Sequence, residues 1–185
     1  VYTLPEIRED EASPEIALIY RDMKAVMGLP MVNLIYRYVA TLPGCLPWVW
    51  SIVRPHFLSG AMERASAELR DGLALPSLVA IERRELIELG IDFEAETMIR
   101  FMIDAYNRGN SANLISLMAI RLGLDGEVPV TVAVDEEPAA TIDAAPLPSI
   151  PARSDLDPET AATVRALTSL HESAGESVIP SLYLH

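Results

Sequence analysis

Residues 13–28 read SPEIALIYRDMKAVMG and carry a full set of helix signals. Ser13 is a preferred N-cap residue, Pro14 suits the first helical position, and Gly28 is a typical C-terminal stop. Between them the apolar residues recur at the spacing of an amphipathic helix. The stretch therefore predicts a helix with one buried face. Similar signals recur along the chain. Apart from a short stretch at Val128–Val134 that could pair weakly as a strand, nothing favours a sheet, so the predicted fold class is all-α.

Residues 157–175, DPETAATVRALTSLHESAG, look like a second copy of that beginning. Each stretch opens on a Pro-Glu pair, has one arginine near its middle and ends at a glycine. Each is then followed by a proline and a segment with a tyrosine, Leu34-Ile35-Tyr36 and Ser181-Leu182-Tyr183. The alternative is that any two amphipathic helices look alike. Read as a repeat, the chain holds one helical unit at 1–123 and an incomplete second unit at 158–185, and a site between the units would be half present.

Proline, glycine and capping residues predict the remaining helices. The second runs from Pro30 to about Leu42, the third from Pro47 toward Gly72 with a kink or break at Pro55, the fourth from Pro76 to Gly90, the fifth from Asp92 to Gly109, and the sixth over Leu114–Leu122. Residues 124–157 are rich in proline, alanine and acids, which predicts a linker. A last helix is predicted to reach His185.

Composition narrows the function classes. The net charge of −13 over 185 residues argues against binding a nucleic-acid backbone or an anionic membrane. The apolar region 25–53 is interrupted by Arg37 and several prolines, so it reads as buried helices rather than as a membrane span. The single Cys45 excludes an internal disulfide and any CxxC site. We therefore predict a cytoplasmic protein without nucleic-acid or membrane partners.

General metal and phosphate motifs are absent from the sequence. The three histidines, His56, His171 and His185, are far apart and form no HxxxH or HExxH arrangement. The nine glycines stand singly rather than in a phosphate-binding loop. We accordingly predict no metal and no cofactor. An AhpD-like helical peroxidase is disfavoured, because its chemistry needs a pair of thiols.

Two clusters of residues stand out as candidate sites. Tyr106-Asn107-Arg108-Gly109-Asn110 is predicted to form a helix-to-helix corner. Its amide side chains would either orient a water or ligand or cap the helix ends. The other cluster is Met31-Val32-Asn33-Leu34, where Asn33 interrupts an apolar helix. A buried asparagine must be hydrogen-bonded, so Asn33 either braces a neighbouring helix or lines a polar pocket.

Several segments together resemble one family. They are the run from Ile19 to Val32, the run from Val39 to Trp50, Ala67-Glu68-Leu69-Arg70, Tyr106-Asn107-Arg108-Gly109-Asn110, and Leu170-His171 followed by Gly175. In their order and spacing they resemble the first repeat of the group I 2-haloacid dehalogenases, the DehI-type family. That family is all-helical and has two repeats joined by a long linker. The resemblance implies hydrolytic removal of halide from a short 2-haloacid by carboxylate-activated water, without a cofactor or a covalent ester.

The same resemblance assigns residues. The catalytic aspartate of the family follows the glycine after the Leu-His pair, and that position falls on Ile179 here, with Val178 beside it. Glu176 is the predicted substitute base. The pocket tryptophan of the first repeat falls on Met31 and its aromatic neighbour on Leu34. The predicted substrate-binding residues are Met31, Asn33, Leu34, Asn107, Asn110, Val178 and Ile179.

Two functions follow from the sequence. One is a dehalogenase-like hydrolase that acts on a small carboxylic acid. The alternative is a noncatalytic helical protein on the same scaffold that binds a small molecule or forms a dimer. If the second unit is incomplete, two chains are expected to pair as a homodimer.

Overall fold

The structure is a computed structural model that describes residues 5–126, 151 and 153–169. Its elements are α1 (Pro14–Met27), α2 (Leu34–Val39), α3 (Cys45–Leu58), α4 (Ala61–Asp71), α5 (Arg83–Glu88), α6 (Phe93–Leu124), a single 3₁₀ turn (Arg153–Asp155) and α7 (Pro158–Ser169). No strand occurs in these described ranges. The predicted all-α class is confirmed. The division into repeat units stays a prediction, and the last predicted helix and the stretch at Val128–Val134 lie outside the described residues.

Helix α1 has the ends that its sequence predicts. The Ser13 hydroxyl accepts a hydrogen bond from the backbone N–H of Ile16 at 3.4 Å. Gly28 adopts a left-handed conformation with φ of 65°, and its N–H bonds to the carbonyl of Lys24. Because both ends are fixed by local chemistry, the sequence was sufficient to place them.

Helix α2 is shorter than predicted. It begins at Leu34 and not after Pro30, and Asn33, the residue before it, has extended dihedral angles. The N–H of Val32 donates to Glu9 Oε1 at 2.9 Å, and the Val32 side chain is buried. This bond satisfies the N–H of Val32 and ties the segment before α2 to the N-terminal segment.

The predicted third helix is divided into α3 and α4. The break does not lie at Pro55, which stays inside α3, but at Ser59 and Gly60, where Gly60 takes φ of 68°. The predicted fourth helix is also wrong over most of its length, since residues 73–82 are not helical and are exposed. Helix α5 starts only after Glu82, whose side chain and that of Glu85 form a reciprocal capping box.

Helix α6 is a single long helix where the sequence predicted two. Asp92 caps it as predicted, with Asp92 Oδ1 accepting from the N–H of Ala95 at 2.9 Å. It then continues through Gly109 without interruption for 32 residues. The predicted corner at residues 106–110 therefore does not exist. Gly109 lies inside the helix and is buried against α2 rather than ending the helix.

The core lies where α1, α2 and α3 meet. Its buried side chains are Tyr20, Met23, Val32, Tyr36, Leu46, Val49, Trp50 and Val53. Helix α6 packs against both α3 and α4, and so closes this core from the side. Asp22 of α1 accepts hydrogen bonds from Trp50 Nε1 at 2.6 Å and from Arg54 Nε at 2.8 Å, which join α1 to α3. None of the helices in the described part of the chain is long and apolar enough to cross a membrane.

Candidate functional site

The candidate site lies where the start of α2 meets the middle of α6. Asn33, at the N-cap position of α2, has 7% of its surface exposed and makes no side-chain capping bond. Its amide lies against Gly109 of α6, and Leu29 lies on the same spot. Asn33 therefore contacts a neighbouring helix, which is the bracing alternative of the sequence analysis. Its Oδ1 has no hydrogen-bond partner among the described residues.

The predicted substrate-binding residues fall into three groups. Met31 and Leu34 are half-buried on either side of Asn33. Asn107 and Asn110 are exposed on α6, in the middle of the helix, so neither caps a helix end. Asn110 directly follows Gly109 and so lies next to the contact with α2. The remaining predicted site residues, Glu176, Val178 and Ile179, lie outside the described residues.

Asn110 belongs to an exposed and mainly apolar stripe of α6. Three- and four-residue spacings place its members on one helix face. The large apolar members are Ile99, Ile103, Leu114 and Leu117, with exposed fractions from 36% to 55%. The other side of α6 packs against α3 and α4. The apolar stripe is therefore a surface that no described helix covers. The stripe thus presents the amides of Asn107 and Asn110 among aliphatic side chains.

A small cavity lies between α2, α3 and α6. It measures about 10 Å³ and is lined by Ile35, Tyr36, Val39, Val49, Asn113, Ser116, Leu117 and Ile120. Three of these residues carry a buried oxygen with no hydrogen-bond partner in the described structure, namely Tyr36 Oη, Asn113 Oδ1 and Ser116 Oγ. The sequence analysis missed this cavity. The available signal was Ser116, a polar residue on the same face of α6 as the small buried residues Gly109 and Ala112.

Two carboxylates lie close to the start of α2, and both are held by cations. Glu6 Oε2 is 3.1 Å from Arg37 Nε. Glu9 Oε2 is 2.6 Å from Lys24 Nζ, while its other oxygen accepts from Val32. These glutamates therefore fix the fold around α2 and are poor candidates for water activation.

The nearby tyrosines are held in their neutral form. Burial raises the pKa of Tyr20 to about 12, although the positive charge of Arg37 opposes the shift. Burial also raises the pKa of Tyr106, again against the charge of Arg37. Tyr36 shows the same direction, because burial raises its pKa and the neighbouring Ser116 hydroxyl lowers it less. These phenols can donate hydrogen bonds near neutral pH but do not act as bases there.

No grouping of three metal-binding side chains occurs in the part of the chain that the structure describes. A wider and more open depression of about 380 Å³ lies between α5 and the start of α6, where Arg83 stacks on Phe93 at 5.2 Å. None of the predicted site residues lines it. The junction of α2 and α6 therefore remains the candidate site.

Comparison with known proteins identifies the relationship. No protein-family model matches the chain. It is 30% identical over 125 residues to an (R)-2-haloacid dehalogenase of Pseudomonas putida, which covers 65% of this chain and 40% of the relative. It is 28% identical over 118 residues to a configuration-inverting 2-haloacid dehalogenase of Alcaligenes xylosoxydans xylosoxydans, covering 63% of this chain and 40% of that protein.

The solved structures with a similar fold are also 2-haloacid dehalogenases. A crystal structure of a D-2-haloacid dehalogenase mutant matches with a TM-score of 0.71 and 25% identity, over 90% of this chain and 60% of that one. A D-2-haloacid dehalogenase in complex with L-LA matches with a TM-score of 0.70 and 24% identity over the same shares, which shows the fold. The chain is similar in sequence and in fold to 2-haloacid dehalogenases.

This similarity confirms the family resemblance seen in the sequence. The chain spans 40% of the length of the curated relatives that it matches. The roles predicted for individual residues, the two-unit organisation and the homodimer stay predictions.

Proposed function

We propose that this protein takes part in the hydrolytic dehalogenation of short 2-haloalkanoic acids. The observation that carries the proposal is the combined sequence and fold similarity to 2-haloacid dehalogenases, at 30% identity and a TM-score of 0.71. The candidate site supports it, because half-buried apolar side chains flank Asn33, which contacts Gly109 of α6, and the exposed amide of Asn110 follows Gly109 on that helix.

The wall of the proposed pocket is built by two helices. Met31 and Leu34 supply apolar surface for the carbon chain and halogen of the substrate. Asn110 supplies an amide that can hold a water or the substrate carboxylate. The contact between Asn33 and Gly109 sets how closely α2 approaches α6, and so fixes the spacing of these groups.

In the proposed reaction Glu176 is the base. It takes a proton from a water molecule whose oxygen attacks the carbon that carries the halogen. The new C–O bond forms as the carbon–halogen bond breaks, and the halide leaves with the electron pair. An apolar pocket raises the basicity of a carboxylate by desolvating its charged form. A single displacement of this kind inverts the configuration and leaves a 2-hydroxy acid, a halide ion and a proton.

The second wall of the pocket is proposed to come from outside helices α1 to α6. The exposed stripe on α6 is an apolar surface that a further helical unit would cover. We propose that the unit beginning at residue 158 supplies it, with residues 124–157 as the linker, and that Val178 and Ile179 contribute beside Glu176. Pairing of two chains in a homodimer is the other way to complete the pocket.

The test is halide release from each enantiomer of 2-chloropropionate. We expect release accompanied by 2-hydroxypropionate of inverted configuration. In H₂¹⁸O the label should enter the product in the first turnover, because no ester intermediate forms. Glu176→Gln should lower kcat by about 100-fold or more, whereas Glu172→Gln serves as the matched control. Halide release that survives Glu176→Gln would refute only the assignment of Glu176 as the base. Absence of halide release from both enantiomers with the parent protein would refute dehalogenation.

A noncatalytic role on the same scaffold is the second candidate. It is favoured by Ile179, an aliphatic residue at the position where the family resemblance places an aspartate. This function predicts that a 2-haloacid or 2-hydroxy acid raises Tm while no halide is released. Isothermal titration with 2-chloropropionate, run beside the halide assay on the same sample, separates the two functions.

A further inference from the structure

We propose that the cavity between α2, α3 and α6 binds one buried water molecule, held by Tyr36, Asn113 and Ser116. The inference does not depend on the proposed function. Tyr36 has 2% of its surface exposed and Ser116 has 1%, so bulk water does not reach either hydroxyl. The two hydroxyls are neighbours, although neither has a partner at ordinary hydrogen-bond geometry among the described residues.

The need for a ligand comes from the unsatisfied oxygens. Tyr36 Oη, Asn113 Oδ1 and Ser116 Oγ are all buried and lack a partner among the described residues. A buried polar group without a hydrogen bond is costly, and native proteins contain few of them. Ordering one water molecule costs less than leaving three such groups unpaired. A water that bridges them would remove all three penalties together.

The volume of the cavity matches a single water molecule. Its volume of about 10 Å³ is close to the smallest that holds a single water, and leaves no room for an organic molecule. The rest of the lining is aliphatic, with Ile35, Val39 and Val49 on one side and Leu117 and Ile120 on α6. A buried water typically makes two to four hydrogen bonds, and this site offers three.

The donor and acceptor pattern favours water over a halide ion. Asn113 Oδ1 can only accept a hydrogen bond, whereas the two hydroxyls can donate or accept. A water can donate to Asn113 and to one hydroxyl while accepting from the other. A halide can only accept, so it would face the amide oxygen unfavourably, and no cationic side chain lines the cavity.

The position of the water gives it a role in holding the two helices together. Tyr36 lies on α2 close to Leu34, and Asn113 lies one turn of α6 beyond Asn110. A water bound to both would tie α2 to α6 beside the contact between Asn33 and Gly109. It would therefore fix the relative position of the groups that form the candidate site.

A high-resolution crystal structure tests the site directly. We expect one peak within hydrogen-bonding distance, about 2.7–3.2 Å, of all three oxygens. A second crystal soaked in bromide separates water from halide. An anomalous peak in the cavity would overturn the assignment to water, and an empty cavity would overturn the proposal as a whole.

The sign of a stability change provides a second test that needs no crystal. If the water is present, Ser116→Ala and Tyr36→Phe each remove one of its partners, and each should lower Tm by about 2–4 °C. If the cavity is dry, each variant removes an unsatisfied hydroxyl, so Tm should stay level or rise. Ser51→Ala, on the exposed side of α3, is the control and should leave Tm unchanged. Unchanged or raised Tm in both cavity variants would contradict the proposal.

Discussion

Gly109 of α6 lies directly against the side-chain amide of Asn33, so that a β-carbon placed on Gly109 would be 2.8 Å from Asn33 Nδ2. The same β-carbon would come within 3.3 Å of Leu29 Cδ1. A distance below 3 Å between these atoms requires one of them to move. Asn33 is short and buried, so it has little room to do so. A glycine is therefore required at this position by packing and not by backbone conformation.

We predict that Gly109→Ala destabilises the protein, although alanine is the better helix former. In the interior of a helix, replacing glycine with alanine normally stabilises by about 0.5–1 kcal/mol. At Gly109 overpacking against Asn33 outweighs this gain and should lower the free energy of unfolding by about 1–3 kcal/mol. Urea unfolding followed by circular dichroism measures the change.

Gly123, near the C-terminal end of the same helix, is the matched control. A β-carbon there meets nothing within 4 Å, so Gly123→Ala should stabilise. The double variant Asn33→Ala/Gly109→Ala should recover stability relative to Gly109→Ala, because it removes the side chain that the new methyl group displaces. If Gly109→Ala and Gly123→Ala raise the free energy of unfolding by equal amounts, the contact with Asn33 is unimportant.

Three helix ends were predicted correctly from a local signal. Ser13, Gly28 and Asp92 act through hydrogen bonds within a few residues, and each begins or ends a helix as its residue type indicates. Gly109 has the same local appearance as Gly28 but lies inside a continuous helix. The glycine there is explained by its close contact with Asn33, which is remote in sequence. No pattern around Gly109 itself could reveal that contact.

The candidate site was predictable to a similar extent. Asn33 was identified because a polar residue among apolar ones demands an explanation, and it does contact a neighbouring helix. The cavity at Tyr36, Asn113 and Ser116 was missed, because it exists only once α2 has packed across α6. The family resemblance came from ordered motifs spread over the chain, which helix periodicity alone does not supply.

Arg70 explains one of those motifs physically. It lies on α4, and its Nη1 donates to Ser111 Oγ of α6 at 2.9 Å while Nη2 is 3.3 Å from Glu63. Ser111 is 8% exposed, so the bond joins two helices through a buried hydroxyl. We predict that Arg70→Met, which keeps most of the aliphatic stem, lowers the free energy of unfolding by about 1–2 kcal/mol.

The control for Arg70 is Arg64→Met on the exposed side of the same helix. It should change the free energy of unfolding by no more than about 0.5 kcal/mol. Adding Ser111→Ala to Arg70→Met should cost less than the two single changes together, since both remove one bond. Full additivity in thermal unfolding would mean that the two side chains do not interact.

Asp22 should give the stability a specific dependence on pH. Burial alone raises the pKa of this carboxyl, but hydrogen bonds from Arg54 and Trp50 outweigh burial and set the pKa below its usual value. A lowered folded-state pKa stabilises the protein above the unfolded pKa of about 3.9, and this contribution is lost as pH falls through the folded pKa.

We therefore predict that Asp22→Asn lowers the free energy of unfolding at pH 7 by roughly 1–2 kcal/mol, a range kept modest because the carboxylate is partly exposed. The gap between the variant and the parent protein should narrow below about pH 4. Chemical denaturation at a series of pH values measures this difference in the free energy of unfolding. Asp104→Asn, in an exposed ion pair with Arg108, is the control. A gap that stays constant from pH 7 to pH 3 would contradict the role of the charge.

Substitution of Asn110 tests whether this residue acts in function or in stability. The test rests on the proposed dehalogenation. The side chain of Asn110 is exposed in the middle of α6, so Asn110→Ala removes no buried contact and should leave Tm within about 2 °C. If its amide orients the water or the substrate, kcat/KM for 2-chloropropionate should fall by about 10-fold or more. Arg100→Ala, which removes another exposed polar side chain from α6, should leave kcat/KM unchanged. A comparable loss in both variants would point to a general effect on the helix, and no loss in either would remove Asn110 from the site.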